Sequence, residues 1–368
     1  MSTAICSCGA APAGGGPSAT TVHVQPTVSA ATVPHEWPDM PLWAYGISAA
    51  PHPGDKPKPQ GPRGRSFDPT IDRKEQLRPL HLDGSPRSYS LYDLSDWGNP
   101  ADWFPNEHPP LPRVVQHGPA RLGAQTCACA YCHKTTGGGR PDNAPVAGLP
   151  VDYFLRQLED FRSGRRVSAD PRKSNTRTMI QLAQAMSEDE KRAAANYYAG
   201  QTGGPHVRVI ETDRAPPAHL EGNRFVASGS ERTEPLHDQI LEVAGDPKQS
   251  EKLDNPHFGY IAYVPSGSVA RGKRLVTSGT TGGTPADAVT QACGSCHGAQ
   301  LRGLGDAPPI AGRSPSYLVR QLYDFKTGAR NGAGAAGMKP VAAKLTTAQM
   351  TDIASYLATL PRADIDAH

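Results

Sequence analysis

Cys129-Ala130-Tyr131-Cys132-His133 recurs as Cys293-Gly294-Ser295-Cys296-His297, and the reading of these two stretches decides the fold. Two cysteines three positions apart with histidine directly after them is the spacing of covalent c-type haem attachment. The thiols add to the two vinyl groups of the haem and the adjacent imidazole reaches the iron from one face. A bare C-x-x-C also serves as half a zinc site or as a redox dithiol. A zinc ribbon, however, places its two pairs roughly 15–20 residues apart, and a thioredoxin-like dithiol sits in a βαβ setting without the histidine.

The surroundings of the motif repeat with it. Sliding the chain by 164 positions, the separation of His133 from His297, keeps it in register without a gap from the first cysteine to Arg166 and Arg330. Gly139 falls on Gly303, Asp142 on Asp306, Pro145 on Pro309, and Ala147-Gly148 on Ala311-Gly312. Tyr153, Arg156-Gln157-Leu158 and Asp160-Phe161 fall on Tyr317, Arg320-Gln321-Leu322 and Asp324-Phe325. Register over such a span marks a duplicated module rather than a chance match.

Within each module the periodicity is helical. Residues 151–162 form an amphipathic helix with Phe154, Leu155, Leu158 and Phe161 on one face, and its twin carries Leu318, Val319, Leu322 and Phe325. Gly164 and Gly328 stand where a left-handed residue ends a helix. Ser187 with Glu190, and Thr346 with Gln349, are capping boxes that open a terminal helix in each copy. Counting eight positions back from those caps reaches Met179 and Met338, in a preceding loop that is five residues longer in the first module. A loop methionine is ordinarily a gap-filler. Paired with a haem histidine it becomes the second axial ligand, so the metal ligands are His133, Met179, His297 and Met338. Met186 aligns with Leu345 and reads as a core residue, and Cys127 is left spare by the register of the repeat.

The two modules resemble class I c-type cytochromes, and their tandem order with Ala-Gly-x-x-x-x-Tyr-x-x-Arg-Gln-Leu resembles the dihaem cytochrome c4 group. The resemblance covers roughly residues 111–203 and 265–368. It implies a mainly α fold of two tandem cytochrome c-type helical domains and two covalently attached haem c groups on Cys129, Cys132, Cys293 and Cys296. It also implies that a backbone carbonyl orients each haem histidine, at Pro308 in the second module and at Ala144, a departure from proline, in the first.

The rest of the chain is less regular. Of 368 residues, 38 are Gly and 37 Pro, only 37% are apolar, and the mean hydropathy is −0.51, so ordered loop is expected over much of the length. Residues 1–33 read as a disordered tail containing Cys6 and Cys8, and 34–110 as a Pro-rich irregular extension. All four tryptophans lie in that extension. Its aromatic stretches 41–46 and 98–105 are expected to pack on the haem domains, since exposed they would present large apolar area. Residues 204–264 connect the domains, with short β-like runs at 207–211 and 260–264 that suggest a small ribbon. His219, His237 and His257 in that segment lack ligand spacing.

A formal charge of +3 with no basic block argues against nucleic acid as a partner, and no apolar run approaches the roughly 18 residues of a membrane span. No secretory signal is legible in the first 30 residues, although c-type haem places the protein in the bacterial periplasm. The expected function is electron transfer between redox partner proteins, a dehydrogenase as donor and an oxidase or other acceptor, with no bond-making chemistry. A dihaem oxidoreductase is the rival. A peroxidase needs an open iron, whereas both modules offer a methionine; thiosulfate dehydrogenases of similar architecture use a cysteine ligand, and no cysteine lies between His133 and Cys293. A cytochrome subunit bound to a dehydrogenase is the third reading.

Overall fold

The computed structural model describes residues 39–47 and 64–362; the tail 1–33, Cys6, Cys8 and Trp37 lie outside the described residues. Leu42–Tyr45 makes one helical turn (α1). Tyr45 is fully buried and its hydroxyl donates to Asp324 Oδ1 at 2.7 Å, so this part of the extension is fastened to the second haem module. Trp97 stacks on Tyr131 inside the first motif with ring centroids 4.9 Å apart. Trp103 departs from the expectation. It is buried against Leu82, Phe104 and Leu253, and its indole N–H donates to the Leu253 carbonyl at 2.7 Å. An indole settles where apolar neighbours and an acceptor coincide, and here the connecting segment supplies both.

In the first module Arg113–His117 (α2) leads to Cys129–His133 (α3). Val151–Arg162 (α4) follows and packs Phe154, Leu158 and Phe161 into a core shared with Val114, Val115 and Tyr198. Ser174–Ala185 (α5) is a helix where a loop was expected, and Met179 therefore stands on a helix. Ser, Asn and Thr near its start are poor helix formers. Burial of Thr178, Ile180, Leu182 and Ala183 outweighs them. Glu188–Ala199 (α6) opens with both reciprocal hydrogen bonds of the Ser187/Glu190 capping box.

The connecting segment holds five strands of note: Arg208–Glu211 (β1), Ala218–Glu221 (β2), Arg224–Ala227 (β3), Leu241–Ala244 (β4) and Tyr260–Val264 (β5). The two β-like runs do pair, but in parallel, Arg208 opposite Ile261 and Glu211 opposite Val264. β4 joins β5 antiparallel on its other side. Instead of a two-stranded ribbon the segment makes a mixed three-stranded sheet, with β2 and β3 as a separate antiparallel hairpin. Tyr260, Ala262 and Val264 point inward from the central strand, the alternation that a half-buried sheet requires.

The second module runs through Ser268–Ser278 (α7), Gly294–His297 (α8), Pro315–Thr327 (α9), Lys339–Ala343 (α10) and Thr347–Thr359 (α11). Leu275 and Val276 of α7 interleave with Met350, Ile353, Ala354 and Leu357 of α11. Their close approach depends on Gly272, where a Cβ would lie 1.9 Å from the Asp352 carbonyl oxygen. Gly272→Ala must push two packed helices apart, and overpacking of this kind costs roughly 1–3 kcal/mol or more. A thermal midpoint equal to that of the parent protein would show that the helices part without cost.

Candidate functional site

Each motif histidine sits in one short turn, and its ring is held from behind. The His133 Nδ1–H donates to the Ala144 carbonyl at 2.8 Å, and the His297 Nδ1–H to the Pro308 carbonyl at 2.8 Å. A carbonyl only accepts, so the proton is on Nδ1 and Nε2 carries the free lone pair a metal needs. Burial depresses the pKa of both imidazoles against the opposing pull of these carbonyls, which keeps the ligand form neutral. The alanine that replaces proline in the first module changes nothing in this contact, because only its backbone is used.

The thiols lie beside these rings. Burial pushes Cys129 up to about 12 and Cys293 up to about 11. Cys132 is raised by a hydrogen bond with Cys127 and by burial, while Cys127 itself is fully buried, with its Sγ 3.7 Å from the Ala128 carbonyl. All four motif thiols are free in this structure, as vinyl addition needs.

The methionines complete the constellation. Met338, at the N-terminal end of α10, lines a cavity of about 560 Å³ together with His297, Cys293 and Cys296. Met179 and His133 line a second cavity of about 110 Å³. Ligand pockets span roughly 300–1,000 Å³. The second module thus already offers the room of a ligand site, and the first offers less. In the second module two thiols, a neutral imidazole with Nε2 free and a thioether on one cavity form a donor set that fits a covalently held haem, while in the first the cavity is lined by His133 and Met179 without the thiols of Cys129 and Cys132. Met186 is buried in the core of the first module.

Reasoning from sequence missed what lies between the cavities. Tyr153, Gln157, Tyr317 and Gln321 line both of them. Arg166 donates to Gln157 Oε1 at 2.8 Å and to Gln321 Oε1 at 2.7 Å. Arg330 does the same from the other side, to Gln321 Oε1 at 3.1 Å, to Gln157 Oε1 at 2.8 Å and to the Tyr153 hydroxyl. The backbones of Arg166 and Arg330 pair as an antiparallel bridge, and their guanidiniums lie over Phe161 and Phe325 at 4.5 and 4.3 Å. The modules are therefore joined by a pseudo-two-fold polar layer. Its signal was present in the sequence, since these arginines are the last residues in register between the copies.

A family model described as Cytochrome c matches residues 269–361. The Thiosulfate dehydrogenase electron acceptor of Thiomonas intermedia (strain K12) is 25% identical over 270 residues, which are 72% of this chain and 86% of that protein. Cytochrome c4 of Azotobacter vinelandii is 36% identical over 247 residues, 65% of this chain and 88% of that protein. Among solved structures, Acidithiobacillus ferrooxidans cytochrome c4 aligns with 63% of this chain and 98% of its own at 23% identity, with a TM-score of 0.39.

Proposed function

Because the chain belongs to the dihaem cytochrome c4 family of class I c-type cytochromes, we propose that its two covalent haem c groups are held by Cys129, Cys132 and His133 with Met179, and by Cys293, Cys296 and His297 with Met338. The protein is a dihaem electron-transfer cytochrome. Each haem iron, when bound, takes up and returns one electron. What carries the ligand reading is that each histidine shares a cavity with its methionine while its Nδ1 is committed to a carbonyl. A thioether and an imidazole would together hold the iron and raise its potential, which suits electron transfer rather than peroxide chemistry.

The protein works as a carrier without turnover of its own. The wall shared by the two cavities supports internal exchange between the haems, and no helix among the described residues is long and apolar enough to cross a membrane. Its place is the periplasm, where c-type haem is attached in bacteria. The donor is a dehydrogenase, and the relative named Thiosulfate dehydrogenase electron acceptor favours one that oxidises thiosulfate. Holoprotein mixed with thiosulfate alone, or with hydrogen peroxide alone, is expected to show no steady turnover. Reduction by thiosulfate is expected only when a thiosulfate dehydrogenase is added. Sustained consumption of either substrate by the pure protein, or a high-spin ferric haem, would replace the carrier by an enzyme.

A further inference from the structure

The walls of the two cavities share many positions of the repeat but differ in where they carry cations. Thirteen positions separate Arg166 from Met179 and eight separate Arg330 from Met338, and the longer stretch carries Lys173, which has no counterpart in the second module. Lys173 is 3% exposed and lines the first cavity. Its Nζ has no hydrogen-bond partner among the described residues. Ser168 Oγ, Asp142 Oδ1 and Asn175 Oδ1, from residues of the same wall, are likewise without partners.

A buried ammonium without an acceptor is costly, and proteins keep one only where an anion or acceptor meets it. Most of the neighbouring charged oxygens and guanidiniums are already committed, and the free Asp142 Oδ1 attracts Lys173 without hydrogen-bonding it. Asp170 is paired with Arg172 at 2.7 Å, Asp324 accepts from Tyr45 and from the Ala169 N–H, and Arg320 donates to the Ala44 and Pro141 carbonyls. Asp142 Oδ2 accepts from Asn143 and Asn175. The charged side chains on the wall are Asp142, Arg166, Lys173, Arg320 and Asp324, an excess of one positive charge. The second cavity also has a third cation, Arg313, but the Pro145 and Ala147 carbonyls engage it at 2.9 and 2.8 Å. Of its two aspartates, Asp306 is an exposed partner of Arg156 and Asp160 pairs with Arg165. Of these two cavities, and among the described residues, the first alone offers a buried cation whose donors are uncommitted.

We propose that Lys173 pairs with a carboxylate of the first haem and holds that haem's reduction potential above the value it would have without the lysine. Burial lowers the pKa of the Lys173 ammonium to about 7 in the protein alone, and a haem carboxylate within hydrogen-bond reach would hold it charged. A positive charge in a water-poor site favours the less positive, reduced iron, and the low dielectric keeps the effect from being screened away. Lys173 acts here as a tuning residue. The proposal rests on the haem assignment above, and the experiment separates the two.

The test is a spectroscopic redox titration of the holoprotein in a Met338→His background, where imidazole in place of thioether lowers the second haem and separates the two waves. Lys173→Met is expected to make the first haem about tenfold harder to reduce, about 59 mV for one electron. The second wave should stay in place and the ferric sulfur-to-iron band of the first haem should persist. Lys173→Arg should restore most of the shift, which a loss of packing alone would not allow. Lys173→Gln gives the same reading if the methionine variant does not accumulate. The proposal fails if the first wave stays put with its sulfur band intact, or if the second wave moves instead. It also fails if Lys173→Met converts the first haem from nitrogen to sulfur ligation, which would put the amine on the iron. Absence of the sulfur band from the parent protein would sink the axial-ligand assignment, a distinct result.

Discussion

In ferric holoprotein, Met338→Ala is expected to remove about half of the weak red band that marks thioether sulfur on low-spin iron, and Met179→Ala the other half. Each variant should also lose a substantial part of the potential that the sulfur confers, within the roughly 0.8 V range that axial ligands span. The two substitutions differ in their structural setting. Met338 stands at the N-terminal end of a short helix in a roomy cavity, so its removal should leave the fold intact and free an axial position for added imidazole. Met179 projects from α5, whose neighbouring Thr178 and Ile180 are buried, so its loss also removes packing. A Leu substitution there keeps the volume and isolates the ligand effect. If Met179→Ala leaves the band untouched, the first module uses another ligand.

The second large effect is expected at the polar layer between the modules. Arg166→Ala removes hydrogen bonds to Gln157, Gln321 and Tyr317, the last at 3.4 Å. Hydrogen bonds from a charged donor contribute about 1.5–3 kcal/mol each, and stranded buried acceptors add to the loss. A destabilisation of about 3 kcal/mol is expected from denaturant unfolding, and a similar value for Arg330→Ala. The double variant should fall short of the sum, since both arginines use the same two glutamine oxygens and residues in one network do not add. Fully additive losses, or single losses below about 1 kcal/mol, would mean that the layer is a passive contact.

How much of this was legible depends on the range over which each feature is specified. Helix 151–162 was read to its boundaries, because one apolar face and a following glycine are local facts, and Gly164 does adopt a left-handed φ of 72°. The capping boxes at Ser187 and Thr346 were legible for the same reason. The carbonyls behind the histidines followed from the resemblance and stand where it put them. Helix α5 was missed because its polar start argues against helix, and its burial against the module, which decides the matter, is tertiary. Trp103 was placed on the wrong neighbour because burial of an indole is predictable while the identity of its cover, Leu253, is 150 residues away. The arginine layer and the solitary Lys173 belong to the same class, since each acquires meaning only when the two halves are brought together.

The bond from Tyr45 to Asp324 spans 279 residues. Closing so wide a loop has an entropic cost that local helices avoid, and contacts of this range are made late. The anchor of α1 cannot form until the helix that bears Asp324, near the far end of the chain, has been synthesised and has docked. A chain stopped short of α9 would leave Tyr45 without its seat, exposing an aromatic residue that the complete protein hides. An earlier segment thus reports on one 279 residues later, and quality control that recognises exposed aromatic rings would detect chains in which the later helix has not docked.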